Sequence, residues 1–249
     1  MNKYKVSVIT GIGAINKYLN SIRGYFENIQ CQSIFKWTEH IIIYKEWSKI
    51  FDDYSYLPNI IFVHESGNGV YDAWNQGIKT STTKFITNWN VDDRRFVKAN
   101  EKKYIFLMKN PDHGLIYNWW YFTDKEDEDI NKLQGNIRPF QSTPKSHQMW
   151  SWSCACGADP MWRKDLHKKV GYFDQKNYPS CGDWDMWLSF DKVTKIGQIQ
   201  DYLSIFFINP VGVGQNNERE RYKQDRAILE KHNVNIPDQY LEKWYPINE

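Results

Sequence analysis

The stretch Phe85–Arg95, Phe-Ile-Thr-Asn-Trp-Asn-Val-Asp-Asp-Arg-Arg, changes from apolar to acidic within a few residues. Phe85 and Ile86 favour a buried β-strand, whereas two adjacent carboxylates are costly to bury without a partner. We therefore expect Asp92 and Asp93 at the exposed carboxyl end of a strand. Such a pair can hold Mg²⁺ or a similar cation, with substrate phosphates and waters as the other ligands. The alternative is a loop that carries two solvated acids.

Three further strand patterns precede this stretch, at Lys5–Thr10, His40–Tyr44 and Ile60–His64. Apolar residues recur at helical spacing between them, over residues 15–32 and again over Val70–Ile78. Strands that alternate with helices predict right-handed crossovers and a mostly parallel sheet. In such a sheet, ligands bind outside the carboxyl ends of the strands, which is where the two acids are expected.

The second half of the chain is less regular. We expect a helix over Arg95–Asn110, a strand over Gly114–Phe122 and a short helix over Met161–Val170. The acidic run Asp124–Asp129 lacks the spaced ligands and the glycine of a calcium-binding loop, so it is predicted to be a solvated surface loop. Residues 134–153 show no periodicity and are interpreted as a lid or a binding loop.

Composition narrows the class of protein. The 249 residues include 41% apolar and 16% aromatic residues, enough for a sizeable core. Lys and Arg total 32 against 30 for Asp and Glu, so a nucleic-acid partner is not expected. No apolar stretch approaches the roughly 18 residues of a membrane span, and Met1–Lys5 leads into a strand. We expect a cytoplasmic protein with reduced cysteines and no integral membrane segment.

The order and spacing of these segments resemble the family 2 glycosyltransferases. Val6–Thr10 matches the opening strand of that family. Gly69–Ile78 is similar to its Gly-Ile-Tyr-Asp-Ala-Met-Asn-Lys-Gly-Ile helix, and Asn88–Asp93 is similar to its Asp-x-Asp-type metal motif. Further along, Lys169–Asp174 resembles Lys-Val-Gly-Gly-Phe-Asp, and Gly182–Leu188 resembles the Glu-Asp-Trp-Asp-Leu-Trp-Leu segment that carries the catalytic base.

This resemblance implies an α/β GT-A fold, the nucleotide-diphospho-sugar transferase fold, with a mostly parallel central sheet flanked by helices. One domain would span residues 1–249, with about 1–95 as the nucleotide-binding half and about 96–249 as the acceptor-binding and catalytic-base half. The implied reaction is an inverting transfer of a sugar from a nucleotide-diphosphate donor, with UDP-sugars favoured, to a hydroxyl of a glycan, lipid or protein. Mn²⁺ or Mg²⁺ is the implied cofactor.

The resemblance also implies roles for individual residues. Asp93 would bind the metal, and Asp92 would bind the ribose or complete the metal shell. Asp183 would be the general base, with Asp185 as the alternative; an unperturbed Asp, with a pKa of about 3.9, is ionised at neutral pH and can accept a proton. The remaining expected contacts are, for the donor, Thr10, Glu46, Asp72 and Asn75 and, for the acceptor, Trp150, Trp152 and Trp162, whose alternative role is packing.

The chain departs from the family pattern at three positions. Glu46 stands near the place of an Asp that reads the uracil, Gly182 replaces a Glu, and Asn209 stands where an Arg or His is expected. The last two departures keep open a non-catalytic carbohydrate-binding protein with a GT-A-like fold. A sugar-nucleotidyltransferase is the other alternative, although the segment Gly11–Lys17 has little of the basic character of a phosphate loop.

Overall fold

The strands of the chain join into one mixed sheet. The computed structural model describes residues 3–15, 18–145, 154–157, 159–210, 212 and 218–236. Its strands are β1 Val6–Ile12, β2 Thr38–Tyr44, β3 Ile60–His64, β4 Phe85–Asn88, β5 Arg94–Arg95, β6 His113–Thr123, β7 Arg138–Phe140, β8 Met161–Arg163 and β9 Lys195–Phe207. Its α-helices are α1 Leu19–Gln30, α2 Val70–Thr80, α3 Ala99–Lys109, α4 His167–Val170, α5 Gly182–Asp191 and α6 Glu218–His232. Short 3-10 turns cover Phe35–Trp37, Lys49–Phe51 and Lys164–Leu166.

The strand order is β3-β2-β1-β4-β8-β6-β9-β5, with β7 paired to β6. Strands β3, β2, β1 and β4 are parallel, and β8 lies antiparallel between β4 and β6. Strands β6 and β9 are parallel to each other. The predicted four-stranded parallel half is therefore confirmed, with Ile60–His64 and Phe85–Asn88 at the predicted bounds.

Helices cover both faces of the parallel half. Successive residues of β1 point to opposite faces, so Val8 packs with α1 on one side and Ile9 packs with α2 and α5 on the other. Helix α1 contributes Ile22 and Phe26 to its side, as its apolar spacing predicts. Because both faces are buried, the strands are apolar along most of their length. No helix among the described residues is long and apolar enough to cross a membrane.

Two helix predictions for the second half were wrong in part. Met161–Arg163 forms strand β8, and only His167–Val170 is α-helical. A short apolar run that is buried between β4 and β6 carries no periodicity that separates strand from helix. Arg94 and Arg95 pair with β9 as strand β5, and helix α3 begins only at Ala99.

The acidic run Asp124–Asp129 is not simply a solvated loop, which corrects the prediction. The Glu128 carboxylate is buried and accepts hydrogen bonds from Thr123 Oγ1 at 2.9 Å and from the amides of Gln134 and Gly135, both at 2.8 Å. These bonds supply the partners that make burial of a carboxylate tolerable. Part of the segment interpreted as a lid, Arg138–Phe140, forms edge strand β7.

Candidate active site

The turn between β4 and β5 places Asp92 and Asp93 at the predicted carboxyl edge of the parallel strands, but Asp93 is buried there and not exposed as expected, because two amide groups satisfy its carboxylate. Asp93 is 5% exposed. Its Oδ1 accepts a hydrogen bond from the Phe207 amide at 3.1 Å, and its Oδ2 accepts one from Asn90 Nδ2 at 3.0 Å. Asp92 is half-buried, and its Oδ2 accepts a hydrogen bond from Asn209 Nδ2 at 2.8 Å. The turn therefore connects the end of β4 with the end of β9.

Both carboxylates are held in an environment that disfavours their charge. Burial raises the pKa of Asp92. Burial, and next the negative charge of Asp92, raise the pKa of Asp93 well above its usual range. Within the described part of the chain, no Lys, Arg or His side chain forms an ion pair with either acid. An external cation bound beside them would favour the ionised form of both carboxylates.

The donor atoms of this turn fit a divalent cation that is shared with a substrate. Among the described residues, no group of three or more His, Cys, Asp and Glu side chains is placed to hold a metal alone. Mg²⁺ and related ions do not need such a cage, because one or two carboxylates suffice when phosphate oxygens and waters complete the shell. Asp92 and Asp93 would supply those two carboxylates.

Arg94 fixes the backbone of the acidic turn from the α1 side. Its Nη1 donates to the carbonyls of Val91 and Asp93, at 2.9 and 2.8 Å, so it binds the backbone on both sides of Asp92. Its Nη2 donates to the Ser21 carbonyl in α1 at 3.0 Å. The planar guanidinium suits this task because it presents several donors in a rigid fork.

A glycine in α1 makes room for this arrangement. The Arg94 guanidinium also forms an ion pair with Asp127 from the acidic loop. A Cβ at Gly24 would lie 1.8 Å from Asp127 Oδ1 and 2.7 Å from Arg94 Nη2. Glycine inside a helix costs roughly 0.5–1 kcal/mol relative to alanine. The close approach of the ion pair explains why α1 carries one here.

Asp183 forms a second acidic centre in the first turn of α5. Its Oδ1 accepts a hydrogen bond from the Tyr71 hydroxyl at 2.9 Å, and its Oδ2 lies 3.6 Å from Cys154 Sγ. Tyr71 comes from the first turn of α2, and its ring stacks on Phe173 with centroids 5.6 Å apart. Asp183 is half-buried and forms no ion pair with a described residue, so its carboxylate can accept a proton from a bound group.

Asp185, two residues further along α5, has a different environment. Its Oδ1 lies 2.8 Å from His232 Nε2, and its Oδ2 accepts a hydrogen bond from Lys231 Nζ at 2.8 Å. Burial acts to raise the pKa of Asp185, but the bonds to His232 and Lys231 outweigh it and lower the pKa. Asp185 therefore anchors α6, and we retain Asp183 as the candidate base.

The two acidic centres lie at one edge of the sheet. Strand β8 is antiparallel to β4, so the segment before β8 leaves the sheet at the carboxyl end of β4. A hydrogen bond of 2.7 Å from Thr87 Oγ1 to the Pro160 carbonyl fixes that segment there. The same segment carries Cys154, which contacts Asp183. The acidic turn and the start of α5 thus face a common region.

Comparison with known proteins identifies the family. Residues 43–171 match the model of glycosyl transferase family 2, about half of the chain. The chain belongs to this family. It is a glycosyltransferase with a GT-A fold, as the sequence motifs predicted. No curated protein sequence matches it.

Solved glycosyltransferases share the fold at low sequence identity. Residues 1–349 of S. aureus TarS are 15% identical with a TM-score of 0.66, over 96% of this chain and 69% of that chain. The same fragment bound to UDP-GlcNAc gives 14% and 0.67, over 96% and 70%. The mannosyltransferase PcManGT from Pyrobaculum calidifontis, in complex with GDP-Man and Mn²⁺, gives 11% and 0.63, over 98% and 69%.

Two predicted donor residues of this glycosyltransferase form hydrogen bonds within the protein. The Thr10 side chain is fully buried, and its hydroxyl bonds to the Tyr25 hydroxyl at 2.7 Å and to the Trp89 carbonyl at 2.8 Å. Asn75 pairs with the backbone of Phe173, accepting from its amide at 3.0 Å and donating to its carbonyl at 2.8 Å. The burial of Thr10 rules out a direct contact with the donor, whereas the donor role of the half-buried Asn75 stays a prediction.

Two other predicted donor residues lie at the open edge. Asp72 is half-buried in the first turn of α2, and its Oδ2 accepts a hydrogen bond from the Asn68 amide at 3.0 Å. Glu46 is exposed, two residues after the end of β2. The structure brings Asp72, Glu46, Asp92 and Asp93 to the carboxyl side of the parallel strands, which leaves their donor roles as predictions.

The predicted acceptor platform is corrected at Trp162. Its side chain is 1% exposed and packs against Trp187, with ring centroids 5.2 Å apart. The indole N–H of Trp162 donates to His167 Nε2 at 2.9 Å. Trp162 is therefore a core residue, and an acceptor cannot stack on it. Trp150 and Trp152 lie outside the described residues.

Sequence reasoning missed two side chains that complete the site. Tyr71 was quoted within the α2 motif, but nothing in its spacing connects it with Asp183, 112 positions away. Arg94 follows the acidic pair directly, within the stretch Phe85–Arg95, but the sequence predicts no role for it. The one available signal was Gly24, an isolated glycine in a helical pattern, which indicates a close approach of another group.

Proposed function

We propose that this glycosyltransferase moves a sugar from a UDP-sugar to an acceptor hydroxyl, with inversion and with a divalent cation. The observation that carries the proposal is that neither Asp183 nor the pair Asp92–Asp93, both on the carboxyl side of the parallel strands, forms an ion pair with a described residue. The solved complexes of TarS with UDP and with UDP-GlcNAc support a UDP-sugar. PcManGT with GDP-Man and Mn²⁺ supports the metal and makes a GDP-sugar the alternative donor.

Asp92 and Asp93 form the donor side of the proposed site. Asp93 would hold Mn²⁺ or Mg²⁺, and Asp92 would bind the ribose or complete the metal shell. When bound to these carboxylates, such a cation would neutralise the negative charge that gathers on the diphosphate leaving group. Arg94 contributes by keeping both carbonyls that flank Asp92 in place, so that the carboxylates need little reorganisation when the donor binds.

Asp183 forms the acceptor side. We assign it the removal of the proton from the acceptor hydroxyl as that oxygen attacks the anomeric carbon on the face opposite the diphosphate. A carbon–oxygen bond to the acceptor forms, the bond to the diphosphate breaks, and the sugar passes through an oxocarbenium-like state with inverted configuration. Tyr71 positions the carboxylate through its hydroxyl. In this proposal about residues 1–95 bind the nucleotide, and about 96–249 bind the acceptor and carry the base.

Calorimetric titration with UDP, GDP, CDP and dTDP, each with and without Mn²⁺, tests the donor side. We expect one nucleotide to bind only when the metal is present. The Asp93→Asn variant should no longer show the metal-dependent binding of that nucleotide. The control variant Asp53→Asn should still show it, because Asp53 is exposed in a loose ion pair with Arg23. The absence of metal-dependent binding to all four nucleotides would contradict the proposal.

A non-catalytic sugar-binding role is the second candidate, and two contacts favour it. Asn209 stands where the family has a cationic Arg or His, and its side-chain amide donates a hydrogen bond to Asp92. A Cβ at Gly182 would lie 3.1 Å from the Tyr71 ring, so the start of α5 is tight for the side chain that the family has there. Such a protein would bind sugar without metal and release no nucleotide. A sugar-nucleotidyltransferase would instead form a nucleotide sugar from a sugar phosphate. The cytoplasmic location stays a prediction.

A further inference from the structure

Four aromatic rings form a continuous strip on the outer part of strands β6, β7 and β9. We call Trp120, Phe122, Phe140 and Phe206 the aromatic shelf. The Phe140 ring lies 4.6 Å from that of Trp120 and 5.5 Å from that of Phe122, measured between centroids. The Phe122 ring lies 5.7 Å from that of Phe206. Strand pairing fixes this order, because Trp120 is the partner of Phe140, and Phe122 is the partner of Phe206.

The shelf leaves apolar surface uncovered. Phe140 is 40% exposed, and Phe122 and Phe206 are half-buried, whereas Trp120 forms the buried base. Exposed aromatic residues that stand singly are ordinary, but a contiguous set on one face indicates a binding surface. Phe140 belongs to a short edge strand, so its ring is the part of the shelf most open to a ligand.

The shelf adjoins both acidic centres. On one side, the amide of Phe207, next to Phe206, donates to Asp93 at 3.1 Å. On the other side, the Trp120 ring packs directly over Gly157, where a Cβ would lie 2.5 Å from the ring. Gly157 belongs to the same short segment as Cys154, which contacts Asp183. The shelf is therefore linked to the acidic turn through Phe207 and to the candidate base through residues 154–157.

We propose that the aromatic shelf binds a sugar ring of the acceptor, so that the acceptor is a carbohydrate. This inference rests on the proposed function, since an acceptor hydroxyl has to reach Asp183 while the donor occupies the turn of Asp92 and Asp93. The apolar face of a pyranose can stack on the Phe140 ring. The hydroxyl groups at the edge of the sugar are then free to point toward Asp183. The shelf takes the part that Trp162 was expected to play.

Saturation-transfer NMR on the full chain tests the proposal. The probes are methyl β-D-glucopyranoside, methyl β-D-galactopyranoside and methyl α-D-mannopyranoside, each added with and without UDP and Mn²⁺. We expect the ring protons of at least one probe to receive saturation from the protein. Phe140→Ala should reduce this saturation at least five-fold, and Phe140→Tyr should retain it because it keeps the ring. Tyr56→Ala is the control, because Tyr56 is 74% exposed and precedes β3 at the opposite edge of the sheet.

Three outcomes separate this proposal from the proposed function. Saturation that is lost in Phe140→Ala and kept in Tyr56→Ala supports the shelf. Equal saturation in Phe140→Ala and wild type, or no saturation of any probe, overturns it. A failure of metal-dependent nucleotide binding overturns the transfer reaction alone, because saturation of the free pyranosides is measured without nucleotide as well. Far-UV circular dichroism and calorimetry with UDP confirm that Phe140→Ala is folded and binds the donor as before.

Discussion

Asp159 and Asp93 are buried to nearly the same degree, at 3% and 5% exposed, but their partners differ completely. The Asp159 carboxylate lies 2.5 Å from Lys103 Nζ and 3.4 Å from Arg95 Nε. Among the described residues, the Asp93 carboxylate accepts hydrogen bonds from the Phe207 amide and the Asn90 side chain and forms no ion pair. A buried carboxylate that is paired with a cationic side chain of the protein is structural. A buried carboxylate without such a partner can take up a cation from outside. The same contrast separates Asp185 from Asp183.

The largest expected effect comes from removing a balanced acid. Asp159→Ala leaves Lys103 and Arg95 buried without a counter-charge, and it also removes the acceptor of the Ser204 hydroxyl. Breaking a buried ion pair costs about 3–5 kcal/mol. We expect the free energy of unfolding, measured by urea titration at pH 7, to fall by that amount. A loss below about 1 kcal/mol would show that Asp159 is not structural.

Removing the unbalanced Asp183 should leave the fold intact and stop the reaction. Asp183→Asn keeps an oxygen that can accept from the Tyr71 hydroxyl, so the free energy of unfolding should change little. Loss of a general base typically lowers kcat by about 10²- to 10⁴-fold. Nucleotide release in the presence of acceptor measures this, and calorimetry with UDP and Mn²⁺ should show unchanged donor affinity. Turnover at the wild-type rate would remove Asp183 from the role.

Asp185→Asn is expected to have the opposite profile, with a loss of stability. The Lys231 partner is about half exposed, so we expect a cost of about 1–3 kcal/mol at neutral pH, less than for a fully buried pair. The pKa of Asp185 is lowered in the folded state, so its stabilisation is present above its unfolded pKa of about 3.9 and is lost as the pH falls through the folded value. The difference in unfolding free energy between wild type and variant should therefore disappear in strong acid. A constant difference down to pH 2 would contradict this explanation.

Sequence patterns predicted the parts of the site that depend on local order. The acidic turn follows β4 directly, and Asp183 opens α5, so motif spacing was enough to place both. Partners that come from distant segments were not predictable, because local sequence periodicity contains no information about them. Nothing in the sequence around Asp185 indicates its contact with His232, 47 positions away. The same reason applies to Trp162, since a three-residue strand buried on both sides has no pattern that reveals its burial.

The smallest expected effect has the reverse sign, because Asp93→Asn should stabilise the protein in the absence of a divalent ion. The folded pKa of Asp93 is raised by burial and by Asp92, so between its unfolded and folded values the folded state binds the extra proton. Wild-type stability therefore falls as the pH rises through this window, and the neutral amide avoids that loss. The new Asn side chain can still accept from the Phe207 amide through Oδ1. Its Nδ2 then faces the Asn90 amide, which has to flip so that the Asn90 Oδ1 accepts where its Nδ2 donates in the wild type. We expect the free energy of unfolding to rise by an amount on the order of 1 kcal/mol at pH 8 and by less at pH 4.

With Mn²⁺ and UDP the wild type should become the more stable of the two proteins, because ligand binding stabilises only the wild type. Urea titrations at both pH values, with and without Mn²⁺ and UDP, measure all four differences. A variant that is less stable than the wild type at pH 8 without metal would mean that Asp93 belongs with the balanced acids, as a structural residue.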